Sequence, residues 1–468
     1  MAILTASRWL PAPAIPAPAP TSTGFTVRAA DVVRAAVVLL VVGNLGRVPI
    51  GSVGAKDAPI LFNDVLVLAI LATGLLAGLR ARTWRIDAPG LVAIAFAAVG
   101  GGSAVLAVPR FGLSAIELAF SLAYLARWLA YFGIYLVVIN TVRASDIPTI
   151  WRALEGAILA FAAFGILQSV FLPNFALIVY PSATPFIDWD PQGHRLVSTI
   201  LDPNLAAALL LLVLLSHLAL LSAGTAVPLW KPALLVAALI LTLSRGALVA
   251  FVAGGAVILA IRGVSRRIVR LVALVALLSL PFVPMLLQLA RAYSRFSLDD
   301  PSALSRVAGW LRGITIFADN PVFGIGFNSL GFVQEVYGFQ RAGKASFGID
   351  GGLLYIAVMT GLVGLALYVG MIALVMRRCR RIWRDRTRSA EHRGLAIGVA
   401  SATAAILMHS LFVNSLLFPF IMEPLWILWA LTFVMSAAES ERVPVVRGPL
   451  VASLGRVLRT RPRQWMRP

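Results

Sequence analysis

NLAAALLLLVLLSHLALLSA, residues 204–223, runs for twenty residues without an Asp, Glu, Lys or Arg. At a helical rise of 1.5 Å per residue, such a stretch spans the roughly 30 Å of hydrocarbon in a bilayer. Backbone polar groups find no water at that depth, so the segment has to be a helix that satisfies its own hydrogen bonds. The rest of the chain shares this character. Of 468 residues 60% are hydrophobic and 13% charged, and the mean hydropathy is +0.90, far from the averages of a water-soluble globular protein.

Comparable apolar runs fall at roughly 30–50, 59–79, 88–108, 115–142 and 152–172 before it, and at 229–244, 246–261, 268–290, 351–376, 394–414 and 416–437 after it. The chain therefore reads as an all-α, polytopic membrane helix bundle of about twelve transmembrane helices. The membrane domain covers 29–437. A Pro- and Ala-rich segment over 1–28 reads as a disordered cytoplasmic tail, and 438–468 as a basic cytoplasmic tail. The runs at 229–244 and 246–261 are short and abut at Ser244-Arg245-Gly246, as a broken hairpin would.

Forty Lys and Arg against twenty Asp and Glu give a net charge of +20. The arginines cluster in short connections, at 80–85, 262–270 and 377–393, and after Ser440. With twelve helices and the N-terminus inside, all of these face the cytoplasm, as the positive-inside rule requires. This distribution argues for topology anchors rather than a nucleic-acid surface. The same topology puts two long connections outside, 174–203 and 291–350. The second joins helices nine and ten, carries both charge signs, and has helical apolar spacing over RVAGWLRGITIFAD (306–319), so it should contain short helices.

Arg245 then lies at the outer mouth of the eighth helix, where free backbone N–H groups and a guanidinium make an anion site; an arginine snorkelling to lipid headgroups fits the same position. Arg127, in YLARWLAYFGIYLVV, sits near the middle of the fourth helix. An unpaired charge there costs about 2.5–3.5 kcal/mol, so a partner or a polar cavity is expected. Glu117, ten residues earlier, is a distant candidate. No phosphate-binding G-x-x-x-x-G-K-[ST] loop occurs, and GIGFNSLG (324–331) follows no strand. The single cysteine, Cys379, sits in a stretch read as an arginine-rich loop; it permits no internal disulfide or Cys-based metal site, and no H-E-x-x-H occurs. Neither a metal nor another cofactor is expected.

SRGALVAF (244–251), taken with SRVAGWLRGITIFADNPVFGIGFNS (305–329), resembles the O-antigen ligase and O-antigen (exopolysaccharide) polymerase superfamily of bacterial multi-pass membrane proteins. Its S-R-G step, R-x-x-x-W (Arg306, Trp310) and N-P-x-x-G-x-G (Asn320, Pro321, Gly324, Gly326) occur here in that order. HRLVSTILDPNLAA (194–207) and DGGLLYIAVMTGLVGL (350–365) are weaker similarities to the same superfamily. The resemblance implies a glycosyltransferase joining undecaprenyl-pyrophosphate-linked oligosaccharides to an acceptor glycan at the outer face of the bacterial cytoplasmic membrane. Envelope-polysaccharide assembly proteins are further possible partners.

Fixed guanidinium groups can stabilise a pyrophosphate leaving group without a metal. Arg245 and Arg306 are read as its clamp, with Arg312 a third candidate. Ligases of the family carry a histidine near the end of the large loop; here the segment reads FGIDGGLLY, and Asp350 is its only ionisable group. That departure favours polymerase over ligase. Asp350 could act as general base, or could cap the following helix. Arg127 is read as facing the substrate cavity, His194 and Arg195 as acceptor-side contacts, and Trp310 as a face for a sugar ring. His409 reads as part of a polar cluster packing between helices. A secondary solute transporter of the bicarbonate-transporter-like kind is the alternative, although no internal repeat of the transporter type is evident.

Overall fold

The computed structural model describes residues 28–53, 56–81, 84–180, 194–263, 266, 269–270, 301–339 and 349–440. Both terminal tails beyond these, all but two residues of the helix expected at 268–290, and parts of the two connections read as external lie outside the described residues. Fourteen helices make up the described chain: α1 Ala29–Leu39, α2 Phe62–Ala81, α3 Ala88–Phe111, α4 Ala115–Thr141, α5 Ile147–Phe171, α6 Phe175–Val179, α7 Pro203–Ser222, α8 Trp230–Leu241, α9 Arg245–Arg262, α10 Pro301–Asp319, α11 Leu330–Val333, α12 Gly352–Arg384, α13 Ala390–His409 and α14 Pro419–Ser440. Eight spans among the described residues are long and apolar enough to cross a membrane, and the stretches at Phe62–Gly78 and Trp230–Leu241 are shorter apolar helices. The protein is an all-α polytopic membrane protein.

The stretch that decided the class is also the centre of the bundle. Helix α7 is apolar around its whole circumference, and Leu205 to Leu221 are buried without interruption. Lipid or other helices can cover such a surface, and here other helices do. It packs against α13, α9 and α8, while α13 also packs on α9 and α12. A second layer forms where α12 lies on α3 and α14 lies on α4. Trp128, Phe132, Tyr135, Trp426 and Trp429 interlock there with ring centroids 5.0–6.1 Å apart.

Three local departures from the sequence reading matter. The first span stops short: α1 tightens into a 3-10 turn, Leu40–Gly46, and two antiparallel strands follow, β1 Arg47–Val53 and β2 Lys56–Leu61, paired from Arg47↔Leu61 to Val53↔Lys56. Residues assigned to the ends of two membrane helices therefore form a hairpin. Secondly, α12 runs through the arginine-rich stretch to Arg384, so Cys379 is in a helix and buried, not in a loop. No Gly or Pro interrupts the chain between Met371 and Asp385, which leaves nothing to end the helix earlier. Thirdly, α12 is broken internally at Gly361 (φ 67°, ψ −169°).

Candidate functional site

The break at Gly361 receives the Asn320–Ser329 segment. Leu362 N–H donates to the Pro321 carbonyl (2.7 Å), and Ile325 and Gly326 N–H groups donate to the Val358 and Met359 carbonyls (both 3.0 Å). Gly324 (φ 71°) lies so close that an added Cβ would sit 2.5 Å from the Val358 carbonyl oxygen. The N-P-x-x-G-x-G motif is thus a backbone docking device that ties α10 to α12. The C-terminal end of α10 is held by Asn320, whose Nδ2 bonds the Ile316 carbonyl (2.7 Å) and the Tyr337 hydroxyl (2.8 Å).

Anchored this way, α10 lays Gly309, Gly313 and Ile316 inward and leaves Leu304, Val307, Leu311 and Ile314 exposed. Arg306 is seven residues before Gly313 and falls on the inward face. Its Nε lies 3.6 Å from Asp350 Oδ2. Arg312 is six residues from Arg306, roughly 120° around the helix at 100° per residue, and its guanidinium lies instead over the Phe339 ring, 6.0 Å from the centroid. The two arginines therefore do not converge. Trp310 flanks the Asp350 turn, since a Cβ on Gly351 would come within 3.4 Å of its Nε1.

Asp350 does not cap α12. The N-cap is Gly351 (φ 115°), without a side-chain cap bond, so the Asp350 carboxylate is left to face Arg306. Burial pushes its pKa above the usual carboxylate range; Arg306 opposes this and the nearby Asp202 charge adds to it. Asp202 is itself raised by burial against the pull of the Leu205 N–H, Arg195, the Asn204 N–H and Arg306. Two carboxyls and two guanidiniums, Asp202, Asp350, Arg195 and Arg306, thus form one electrostatic cluster at the α7, α10 and α12 ends. A carboxyl that must be ionised to accept a proton loses activity as pH falls through its pKa. If Asp350 is a base, activity should therefore decline on acidification at a higher pH than an unperturbed aspartate would set, and Asp350→Asn should abolish that acid limb along with most of the rate; an unchanged pH–rate profile in the variant would exclude Asp350 as the base.

Arg245 opens α9, where Ser244 caps the helix through the Ala247 N–H. The Ser244 hydroxyl donates to Asn204 Oδ1 (2.7 Å), two residues beyond Asp202, and Arg195 Nε donates to the Thr242 carbonyl (2.9 Å). The S-R-G step is thereby pinned to the start of α7 and to Arg195, with the Arg245 side chain exposed. Asp202 also caps α7, accepting from Asn204 and Leu205 N–H groups (2.8 and 2.9 Å). His194 is exposed, with Nδ1 3.4 Å from the Ser169 carbonyl.

Arg127 has both a partner and a cavity. It donates to Asp64 Oδ2 (2.9 Å) and the Pro59 carbonyl (2.5 Å), and Tyr131 donates to Asp64 Oδ1 (2.5 Å). Glu117 is engaged elsewhere, in a capping box with Ser114. Arg127 and Asp202 both line a cavity of about 330 Å³ whose other walls include Leu61, Leu205, Phe327, Met359, Phe420 and Trp426. Removing the carboxylate in Asp64→Ala leaves a guanidinium unpaired inside the bundle. The expected cost is about 2.5–3.5 kcal/mol, read as a lower unfolding temperature in detergent, with a smaller loss for Asp64→Asn.

The sequence reading leaves out Asp64, Glu423 and Asn63, and takes His409 as a polar residue packing between helices. Asn63 Nδ2 donates to the buried Glu423 Oε2 (2.7 Å). A lone acidic residue in an apolar run was the available signal for Asp64 and Glu423, because such a residue has to find a partner across the bundle. His409 is fully buried, its Nδ1 2.6 Å from Ser415 Oγ.

No curated protein matches the chain. Residues 233–369 match the family model described as O-antigen ligase, a stretch that contains Arg245, Arg306, Trp310, Arg312 and Asp350 but neither Arg127 nor Arg195. This segment, which carries the S-R-G step, the docked glycine motif and the Arg306–Asp350 pair, is similar to the O-antigen ligase family.

Proposed function

We propose that the protein is a metal-independent glycosyltransferase, a polymerase in preference to a ligase, that transfers an oligosaccharide from undecaprenyl pyrophosphate to an acceptor glycan at the outer face of a bacterial cytoplasmic membrane. The observation that carries this is the cluster of Arg306, Asp350, Asp202 and Arg195, beside the exposed Arg245 and a largely apolar cavity. A substrate with a charged pyrophosphate and a hydrocarbon tail matches that combination. In the reaction the acceptor hydroxyl oxygen forms a bond to the anomeric carbon and the anomeric C–O bond breaks. The electron pair leaves with the pyrophosphate, toward Arg306 and Arg245, and the hydroxyl proton passes to the Asp350 carboxylate. Preorganised guanidiniums stabilise the leaving group where water is scarce.

Proteoliposomes containing the protein and a lipid-linked repeat unit should yield longer glycans without added divalent metal. A product lengthened by one transfer onto lipid A core, and not onto a second repeat unit, would mark a ligase. The Asn63–Glu423 pair near Asp64 and Arg127 favours a second reading, a secondary transporter, because intramembrane charges of this kind also mark ion pathways. Accumulation of labelled bicarbonate in glycan-free proteoliposomes would support that reading and displace the first.

A further inference from the structure

Three polar atoms around the Ile349–Gly352 turn are buried and have no hydrogen-bond partner among the described residues: Arg306 Nε, His409 Nε2 and Asn414 Oδ1. They belong to elements that the turn itself ties together. Asn414 Nδ2 donates to the Ile349 carbonyl (2.9 Å), and Gly352 N–H donates to the Ser410 carbonyl. Arg306 lies beside Asp350, and its charge reaches His409. The hydrogen bond between His409 Nδ1 and Ser415 Oγ holds the imidazole, so that Nε2 is the ring atom left for another partner. Three such atoms at one turn are unusual, since buried polar groups in folded proteins are almost always paired.

Their chemistry selects a ligand. Arg306 Nε–H can only donate, Asn414 Oδ1 can only accept, and His409 Nε2 does either according to its tautomer. An anion would meet the Asp350 carboxylate and the Asn414 carbonyl oxygen, and a cation would meet the Arg306 guanidinium. A neutral hydroxyl both donates and accepts, so the neighbouring hydroxyls of a sugar ring match the chemistry of all three atoms. Trp310, against Gly351, adds an aromatic flank of the kind on which a sugar ring stacks.

We propose that the Ile349–Gly352 turn, with Arg306, His409 and Asn414, is a subsite for the acceptor glycan, which it binds through the hydroxyls of an uncharged sugar ring. The proposal rests on the glycosyl-transfer reading above. It divides the substrates between two places that meet at Arg306: the pyrophosphate-linked donor on the Arg245 side, and the acceptor sugar at the C-terminal end of α13. Asp350 then lies between them, where the acceptor proton is released.

The test uses the full-length protein in proteoliposomes, with saturating native lipid-linked oligosaccharide as donor. The acceptor is the same oligosaccharide freed from lipid and pyrophosphate by mild acid, which can accept but cannot donate. Asn414→Ala and His409→Ala should each raise the KM for this acceptor about tenfold or more. Inhibition by undecaprenyl pyrophosphate, which probes the donor side alone, should stay within about twofold of wild type. Asn414→Gln keeps both the accepting oxygen and the amide donor and should stay within a few-fold of the wild-type KM, which separates loss of a contact from damage to the fold. An unchanged acceptor KM in the alanine variants, or an equal weakening of undecaprenyl pyrophosphate inhibition, overturns the subsite. Wild-type protein that transfers to no oligosaccharide overturns the glycosyl-transfer reading itself, an outcome distinct from the first two.

Discussion

Arg306→Ala is expected to lower the rate of glycan transfer by a factor of about 10²–10³ while the protein still inserts and folds. That range is what the removal of one preorganised donor to a developing anion costs in enzyme sites where charge is stabilised electrostatically. Folding should tolerate the change, because Arg306 is partly exposed and its ion pair with Asp350 is long, 3.6 Å; partly exposed pairs contribute little to stability. Arg306→Lys retains the charge but neither the Nε–H nor the planar fork, so it should recover only a small part of the lost rate. Arg245→Ala should act in the same direction, since Arg245 stands at the opening of α9 where backbone N–H groups also favour an anion. The measurement is elongation of a lipid-linked repeat unit in proteoliposomes, normalised to the amount of monodisperse protein recovered in detergent. Normal elongation in both alanine variants would remove the clamp from the mechanism. Loss in Arg245→Ala alone would confine it to the S-R-G step and leave Arg306 as the partner that holds Asp350.

The bundle was readable because hydrocarbon thickness imposes a length and a composition on each spanning helix, and stretches such as 88–108 and 204–223 carry both. The Arg47–Leu61 hairpin was not, since its pairing depends on two segments meeting across a turn and leaves no mark in mean hydropathy. Likewise Arg127 announced its need for a partner, but Asp64 lies 63 residues away and is brought to it only by the packing of α2 on α4. Arg306 and Asp350 came into view as a pair through resemblance to a family, and spacing alone would have grouped Arg306 with Arg312. The helical repeat separates those two by a third of a turn, and the docked loop then directs Arg306 inward and Arg312 toward Phe339. His409 looked like packing because a polar residue in an apolar helix usually is; only the unpaired Nε2, one residue before the Ser410 carbonyl that holds the Asp350 turn, sets it apart.

Gly361→Val tests the device that holds the site together, and it should remove most folded protein. At φ 67°, ψ −169° the backbone occupies a region open essentially to glycine alone, where a side chain costs about 1–3 kcal/mol before any contact is considered. An added Cβ would also sit 2.0 Å from the Val322 carbonyl oxygen, backbone that cannot rotate aside. Moving that strand of chain breaks the bonds from Leu362 to Pro321 (2.7 Å) and from Val363 to Val322 (3.3 Å), and with them the docking of Asn320–Ser329. Net backbone hydrogen bonds contribute about 1 kcal/mol each, so strain and lost bonds together reach about 3–5 kcal/mol, a large fraction of the roughly 5–15 kcal/mol that holds a native protein folded. Gly370 in the same helix is the matched control: an added Cβ there meets nothing within 4 Å, and Gly370→Ala should leave the unfolding temperature unchanged or raise it slightly, because alanine favours a helix over glycine. Detergent-extracted yield and unfolding temperature, measured for both variants, separate the cases. If Gly361→Val were as stable as Gly370→Ala, the loop could not be seated in the α12 break, and the inward face of α10 would have no reason to bring Arg306 to Asp350.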